Sequence, residues 1–118
     1  MTISSRNVVE GTARAPHRAM YKAMGLTDDD ISKSFIGVCH TGNEATPCNI
    51  HLPSLAQKAK QGVTDGGATP REFSTIAVSD GIAMEHEGMK SSLISREVIA
   101  ESIELMVRGD QYDAIVGF

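Results

Sequence analysis

A short apolar run, Phe35–Cys39 (FIGVC), restricts the possible folds of this chain more than any other feature. An apolar run of this length without a polar interruption is typical of a strand buried on both faces, as in a sheet covered by helices. Two further strands are predicted at Phe73–Val78 and Tyr112–Val116. The three runs indicate a sheet whose strands lie well apart along the chain.

Helical patterns lie before and between these strands. One covers Thr12–Met24, and a second has apolar residues at helical spacing from Leu52 to Val63, with Asn49 as its expected N-cap. A third helix is predicted to begin at Ser95. The resulting order, an N-terminal helix followed by β-α-β-α-β, predicts an α/β fold with a parallel sheet and flanking helices.

The length and composition are those of one globular domain spanning residues 1–118. Residues 1–11 are polar and patternless, and they are expected to form a flexible arm or a segment ordered by a partner. The net charge is −4, Trp is absent and aromatic residues make up 4%, so we expect no nucleic-acid partner. No apolar run approaches the roughly 20 residues of a membrane span, and no secretory signal is recognisable, so the expected location is the cytoplasm, away from the membrane.

Two loops are expected at the ligand-binding edge of such a sheet, beyond the carboxyl ends of its strands: His40–Asn49 and Ser79–Ile94. Cys48 in the first loop directly precedes the expected helix cap, where a helix N-terminus stabilises a thiolate that can bind iron or attack carbon. From its position alone, an inert loop cysteine is the more common case. Cys39 ends the apolar run and is expected to be a core residue.

Asp80 is the candidate ligand of the second loop. It follows a predicted strand, and a hard carboxylate oxygen there suits Mg²⁺, which usually takes one or two protein carboxylates. A plain Asp-Gly turn with Gly81 is the alternative. The nearby Glu85–Met89 stretch resembles half of a zinc-protease helix, but Lys90 occupies the place of the second histidine, so a mobile loop or an active-site flap is expected instead.

Several distinctive motifs follow one another along the chain: Ala13–Met20 (ARAPHRAM), Asn43–Asn49 (NEATPCN), and Phe73–Met84 (FSTIAVSDGIAM) continuing through His86–Met89 to Ser95–Glu97. Together they resemble the motifs of the dihydroxy-acid dehydratase family. They occur in the family's order and cover nearly the whole chain. The resemblance implies that the chain is the N-terminal part of a larger α/β domain.

The resemblance also implies a reaction and its cofactors. The family dehydrates 2,3-dihydroxy-3-methyl acids to 2-oxo acids in valine and isoleucine biosynthesis. By this resemblance Cys48 is one thiolate ligand of an iron–sulfur cluster, commonly of the 2Fe–2S type, and Asp80 is a Mg²⁺ ligand. The full-length family members are expected to be homodimers with a small dihydroxy acid as substrate.

The remaining family ligands have no counterpart here. A Cys-Asp-Lys segment, a third cysteine, a later Mg²⁺-binding Glu and the Ser proposed as the base are absent, so no catalytic base is assigned. The expectation is a partial sequence that is inactive by itself, with uncovered apolar faces.

Three alternatives stay open at this stage. One is a sugar-acid dehydratase of the same family, and another is a small non-catalytic α/β module that binds a metal or a partner through the two loops. The third is a cysteine-dependent enzyme in which Cys48 is the nucleophile and His40 or His51 is the base, which requires hydrogen-bond reach between the two side chains.

Overall fold

The computed structural model describes residues 3–118 and contains one three-stranded parallel sheet. The strands are β1 (Phe35–His40), β2 (Thr69–Ser74) and β3 (Ala114–Gly117). The predicted α/β class is therefore confirmed. The helices are α1 (Arg6–Val9), α2 (Ala15–Ala23), α3 (Asp28–Ser32), α4 (Leu52–Asp65), α5 (Asp80–Ala83) and α6 (Lys90–Gly109), with short 3-10 turns at Thr12–Arg14 and Glu87–Met89.

The apolar strand β1 is the centre of the sheet, in the order β2-β1-β3. Its residue Phe35 is opposite Thr69 at one end, and His40 is opposite Ser74 at the other. Because both neighbours run parallel to β1, the carboxyl ends of β1 and β2 lie side by side. The segments that follow these two strands therefore leave the sheet at the same edge.

The prediction of the second strand at Phe73–Val78 is wrong in its position, because β2 is Thr69–Ser74. Thr69 N–H donates to the Ser34 carbonyl oxygen at 2.8 Å, so pairing begins soon after α4 ends. The last backbone bond of this ladder runs from Thr75 N–H to the His40 carbonyl oxygen at 3.0 Å. The apolar residues 76–78 thus lie beyond the sheet, and an edge strand with one open side tolerates the polar sequence of β2.

The third helix begins earlier than predicted. The helix α6 starts at Lys90, directly after the 3-10 turn, and Ser95 lies inside it rather than at its N-cap. The Ser95 hydroxyl donates to the Ser92 carbonyl oxygen at 2.6 Å, a local bond that satisfies a buried hydroxyl within a helix.

The best-packed part of the molecule joins the N-terminal segment to β1. Val9, Ile31 and Phe35 form a buried cluster, and the Tyr21 ring meets the Phe35 ring edge-to-face at a centroid distance of 5.1 Å. The segment for which the sequence predicts a flexible arm thus contains a short helix whose Val9 is buried. Residues 1 and 2 of that predicted arm lie outside the described residues.

Gly37 lies at the middle of β1, between aromatic rings from both sides. The rings of Phe73 and Tyr112 stack at a centroid distance of 6.0 Å. A Cβ atom on Gly37 would lie 2.9 Å from Tyr112 Cδ2 and 3.2 Å from Phe73 Cε1. A side chain at position 37 would displace both rings, so the packing of the two rings requires glycine at this position.

The helix α6 packs much less than the rest. Its only buried residues are Ser92 and Ser95, whereas Leu93 and Leu105 are exposed. The radius of gyration is 16.7 Å, compared with about 13–14 Å expected for a compact domain of this length. The expected uncovered apolar faces are thus present. No described helix is both long enough and apolar enough to cross a membrane.

Candidate functional site

The loop after β1 is held in shape by its own polar side chains. The Asn49 amide donates to the Thr41 carbonyl oxygen at 2.9 Å and to the Thr41 hydroxyl at 2.8 Å. The Thr46 hydroxyl donates to Asn49 Oδ1 at 3.0 Å. These bonds connect the two ends of the loop, so its shape is set before any ligand binds.

Cys48 lies at the outer turn of this loop. Its backbone N–H donates to the buried Thr46 hydroxyl at 3.0 Å, and the cysteine is exposed and reduced. Asn49 does not cap α4 as predicted, because His51 is at the N-cap and the Asn49 amide is engaged within the loop. Cys48 therefore comes from a braced loop three residues before the N-cap, not from the first turn of the helix.

Cys39 is buried in β1, as expected for a core residue. Burial raises the pKa of the Cys39 thiol above its usual value, because the charged thiolate is poorly solvated there. Of the two cysteines, only Cys48 is available to a ligand in the structure.

His40, the last residue of β1, is buried and fully engaged. Its Nδ1 accepts the Gly42 N–H at 2.9 Å, and its Nε2 lies 3.2 Å from Glu72 Oε1. The Lys60 ammonium group, 2.8 Å from Glu72 Oε2, is the main cause that holds the pKa of Glu72 below its usual value, and the His40 and Gln57 bonds act in the same direction. With both nitrogens occupied, His40 is not placed to serve as a base for Cys48.

Asp80 begins the short helix α5 and faces α6. The buried Ser92 hydroxyl donates to Asp80 Oδ1, which orients the carboxylate. Asp80 itself is exposed, so it remains accessible to a ligand. Ser92 is not recognisable as a site residue from the sequence, because its position 12 residues after Asp80 becomes informative only once the intervening turn is known.

The two loops share a cleft of about 470 Å³. Thr41 and Asn49 line it from the first loop, and Asp80 lines it from the second. The helix α6 contributes Arg96, which the sequence offers only as part of the Ser95–Glu97 motif. The cleft is also lined by Ala77, Val78, Ser79, Gly81, Ser92, Ser95 and Ile99.

A smaller cleft of about 300 Å³ is also lined by residues of both loops. Ala45 and Thr46, just before Cys48, line it together with Ile82 and His86. The structure thus brings the loop His40–Asn49, which carries Cys48, and the loop Ser79–Ile94, which carries Asp80, to one edge of the sheet, as predicted. We call them the Cys48 loop and the Asp80 loop. His17 lines a separate cleft beside α2.

The donor atoms at this edge are of two chemical kinds. A thiolate is a soft ligand that suits iron–sulfur clusters, and a carboxylate is a hard ligand that suits Mg²⁺. Within residues 3–118, no group of three or more His, Cys, Asp or Glu side chains is arranged to hold a metal ion. Cys48 and Asp80 therefore fit such groups as single ligands, each of which needs further donors.

The fold and this edge define a class: an α/β domain that offers one exposed thiol and one oriented carboxylate beyond the carboxyl ends of parallel strands. Comparison with known proteins makes the class specific. The family described as Dihydroxy-acid/6-phosphogluconate dehydratase N-terminal matches residues 33–118. The chain belongs to this family.

Curated relatives agree over almost the full chain. A dihydroxy-acid dehydratase of Pelagibacter ubique is 63% identical over 115 residues, which are 98% of this chain and 20% of that protein. Dihydroxy-acid dehydratase 2 of Bradyrhizobium diazoefficiens is 60% identical over 115 residues, with the same coverage. A dihydroxy-acid dehydratase of Parvibaculum lavamentivorans is 58% identical, again over 98% of the chain and 20% of that protein. The chain thus spans about a fifth of the length of these relatives.

Proposed function

We propose that this chain contributes the Cys48 loop and the Asp80 loop to a hydro-lyase that converts 2,3-dihydroxy-3-methyl carboxylic acids to 2-oxo acids in valine and isoleucine biosynthesis. The observation that carries the proposal is the 63% identity to a protein named dihydroxy-acid dehydratase, over a stretch that includes both loops. By the same resemblance, the complete enzyme is proposed to be a homodimer.

The proposed role of Cys48 is to ligate an iron–sulfur cluster, of the 2Fe–2S type. Its loop is suited to this role because Asn49 and Thr46 fix the backbone on both sides of the cysteine. A ligand held in one position loses little conformational freedom on binding, which favours affinity. Such a cluster supplies a Lewis-acid iron with an open coordination position that assists loss of the C3 hydroxyl group.

The proposed role of Asp80 is to bind Mg²⁺ beside the substrate. The Ser92 hydroxyl holds one carboxylate oxygen, which fixes the orientation in which the carboxylate is presented to the cleft. Thr41 and Ser79 line the same cleft, and their hydroxyl groups are of a kind that hydrogen-bonds a polyhydroxy acid. Since this chain supplies one exposed thiol and one such carboxylate, we propose that the 118-residue polypeptide has no turnover by itself.

A chimaera tests the proposal in a complete enzyme. This chain would replace the matching fifth of the Pelagibacter ubique dehydratase, and the product would be reconstituted anaerobically with iron and sulfide. We expect iron and sulfide content, cluster absorption and formation of 2-oxo acid from a 2,3-dihydroxy-3-methyl acid. Assays with sugar acids under the same conditions distinguish the other activity of the family, and light scattering tests the dimer.

Two substitutions and one control in the chimaera separate the proposed roles. Cys48→Ser should lose the cluster absorption, whereas Cys39→Ser, which removes the buried thiol, should retain it. Asp80→Asn should retain the cluster but lose turnover by at least about 100-fold, because a neutral amide is a weaker Mg²⁺ ligand. A Cys48→Ser chimaera with full cluster content would overturn the assignment of Cys48.

A further inference from the structure

Both loops at the candidate site contain the same small structure, a histidine followed two residues later by a glycine. In His40-Thr41-Gly42, the histidine Nδ1 accepts the Gly42 N–H at 2.9 Å. In His86-Glu87-Gly88, the histidine Nδ1 accepts the Gly88 N–H at 3.0 Å. The histidine Nδ1 accepts the same hydrogen bond that an Asn or Asp side-chain oxygen accepts in an Asx turn, from the backbone N–H two residues later.

The second ring nitrogen also has an equivalent arrangement in the two turns. Nε2 of His40 lies 3.2 Å from Glu72 Oε1, and Nε2 of His86 lies 2.8 Å from the Ile82 carbonyl oxygen. Both partners accept hydrogen bonds, so Nε2 must carry the proton while Nδ1 offers its lone pair. Each turn therefore requires a neutral imidazole with its proton on Nε2.

The glycine is required as well. A Cβ atom on Gly42 would lie 2.7 Å from His40 Nδ1 and 2.7 Å from Pro53 Cδ. A Cβ atom on Gly88 would lie 2.5 Å from His86 Cε1. These distances are shorter than any van der Waals contact, so only glycine lets the ring close over the backbone at either place.

The two turns fix the points from which the candidate ligands extend. Gly42 is the start of the loop that carries Cys48, and the buried His40 ring stacks on Phe118 at a centroid distance of 6.3 Å. The His86 turn lies between Asp80 and Ser92, and its ring connects Ile82 of α5 to Gly88 in the 3-10 turn that precedes α6. The segment that His86 bridges is the one that connects Asp80 to Ser92, whose side chains are hydrogen-bonded to each other.

We infer that His40 and His86 are positioning residues, which hold the Cys48 loop and the Asp80 loop through matched histidine–glycine turns in the Nε2–H tautomer. The inference deepens the proposed function, on which the importance of the two loops rests. The two turns are defined by their own hydrogen bonds, so they do not depend on which ligand the loops bind.

Paired substitutions distinguish the acceptor role from simple space filling. Asn at position 40 or 86 can keep the Nδ1-like acceptor by forming an Asx turn, whereas Gln matches the ring better in length but places its oxygen too far from the backbone. A space-filling role predicts that Gln is the better replacement. The positioning role predicts that Asn is better.

Two NMR measurements on the full 118-residue chain provide the readout. Long-range proton–nitrogen spectra should show His40 and His86 in the Nε2–H form at neutral pH. Amide exchange at Gly42 should stay close to wild type in His40→Asn and accelerate about tenfold or more in His40→Gln, since one hydrogen bond is lost. The same order is expected at Gly88 for His86→Asn and His86→Gln, and His51→Asn, outside both turns, should change neither amide.

The outcomes are separable from those for the proposed function, because the measurements need neither cluster, Mg²⁺ nor turnover. An Nδ1–H tautomer at either histidine, or equal glycine protection in the Asn and Gln variants, would overturn the inference. In the chimaera, His40→Gln should lower cluster content while His40→Asn restores it. A cluster-free wild-type chimaera with intact turns would count against the function alone.

Discussion

The strand β1 and the helix α6 are both rich in apolar residues, yet they lie in opposite environments. Phe35 and Val38 of β1 are fully buried, whereas Leu93 and Leu105 of α6 are 68% and 71% exposed. The residues of α6 that are buried are the serines beside Asp80. Within this chain, α6 therefore serves mainly to complete the cleft, and β1 supports the fold.

The difference shows that hydrophobic pattern and burial are separate properties. The run in β1 is buried because strands pair on both sides of it and the N-terminal segment and α4 pack against it. The pattern in α6 meets no comparable surface within residues 3–118. Stability is thus expected to depend on the region around β1, and α6 is expected to determine solubility.

The largest expected effect is the contrast between Phe35→Ala and Leu105→Ala. Removing the Phe35 ring leaves a cavity beside Tyr21, which should lower the free energy of unfolding by roughly 3–5 kcal/mol. Leu105→Ala should change it by less than about 0.5 kcal/mol, since little apolar surface is lost from the interior. Urea denaturation followed by circular dichroism measures both, and equal losses would contradict the comparison.

Thiol alkylation gives the next contrast, between the interior of β1 and the exposed loop. Because burial raises the pKa of Cys39 and also blocks access, Cys39 should react at least about 100-fold more slowly than Cys48 at pH 8. Raising the pH increases the thiolate fraction but does not open the strand. Mass spectrometry of the Cys39→Ser and Cys48→Ser variants assigns each rate, and comparable rates would show that β1 opens readily.

The apolar surface of α6 is tested by Leu93→Glu combined with Leu105→Glu. The double variant should bind less of a hydrophobic dye and remain soluble at higher concentration, because exposed apolar area promotes association. Its far-ultraviolet circular dichroism should be unchanged. The control is Lys58→Glu, on the exposed side of α4, which changes the net charge by the same amount as the double variant. It should leave dye binding unchanged.

The smallest expected effect concerns Glu72, which joins β2 to His40 and Lys60. The hydrogen bond from Lys60 holds the pKa of Glu72 below its usual value in the folded chain. The ionised carboxylate therefore stabilises the fold above the ordinary pKa of a glutamate, and this contribution disappears as the pH falls through the lower folded value. Glu72→Gln should lower stability near pH 7 by less than about 1 kcal/mol, because the pair is partly exposed. The difference in stability between the two proteins should disappear once the pH has fallen below the folded pKa of Glu72, and a difference that stays constant with pH would indicate a packing effect.

The order of elements and the edge that carries both loops could be predicted because they depend on local periodicity and on a rule for parallel sheets. The position of β2 could not, since Thr69–Ser74 is polar and joins the sheet only through its pairing with β1. The apolar residues 76–78 resembled a strand but follow the end of β2, and two of them, Ala77 and Val78, line the clefts. Ser92 was missed for a related reason: its role depends on a turn that only the folded chain shows.

Gly37 has a consequence for how sequences of this kind can change. Phe73 and Tyr112 come from opposite sides of β1 and meet over the one residue that lacks a side chain. A larger residue at position 37 is acceptable only if at least one ring becomes smaller, so the three positions are expected to covary among homologues. Correlated changes at positions 37, 73 and 112 in an alignment would then indicate that β1 lies between β2 and β3.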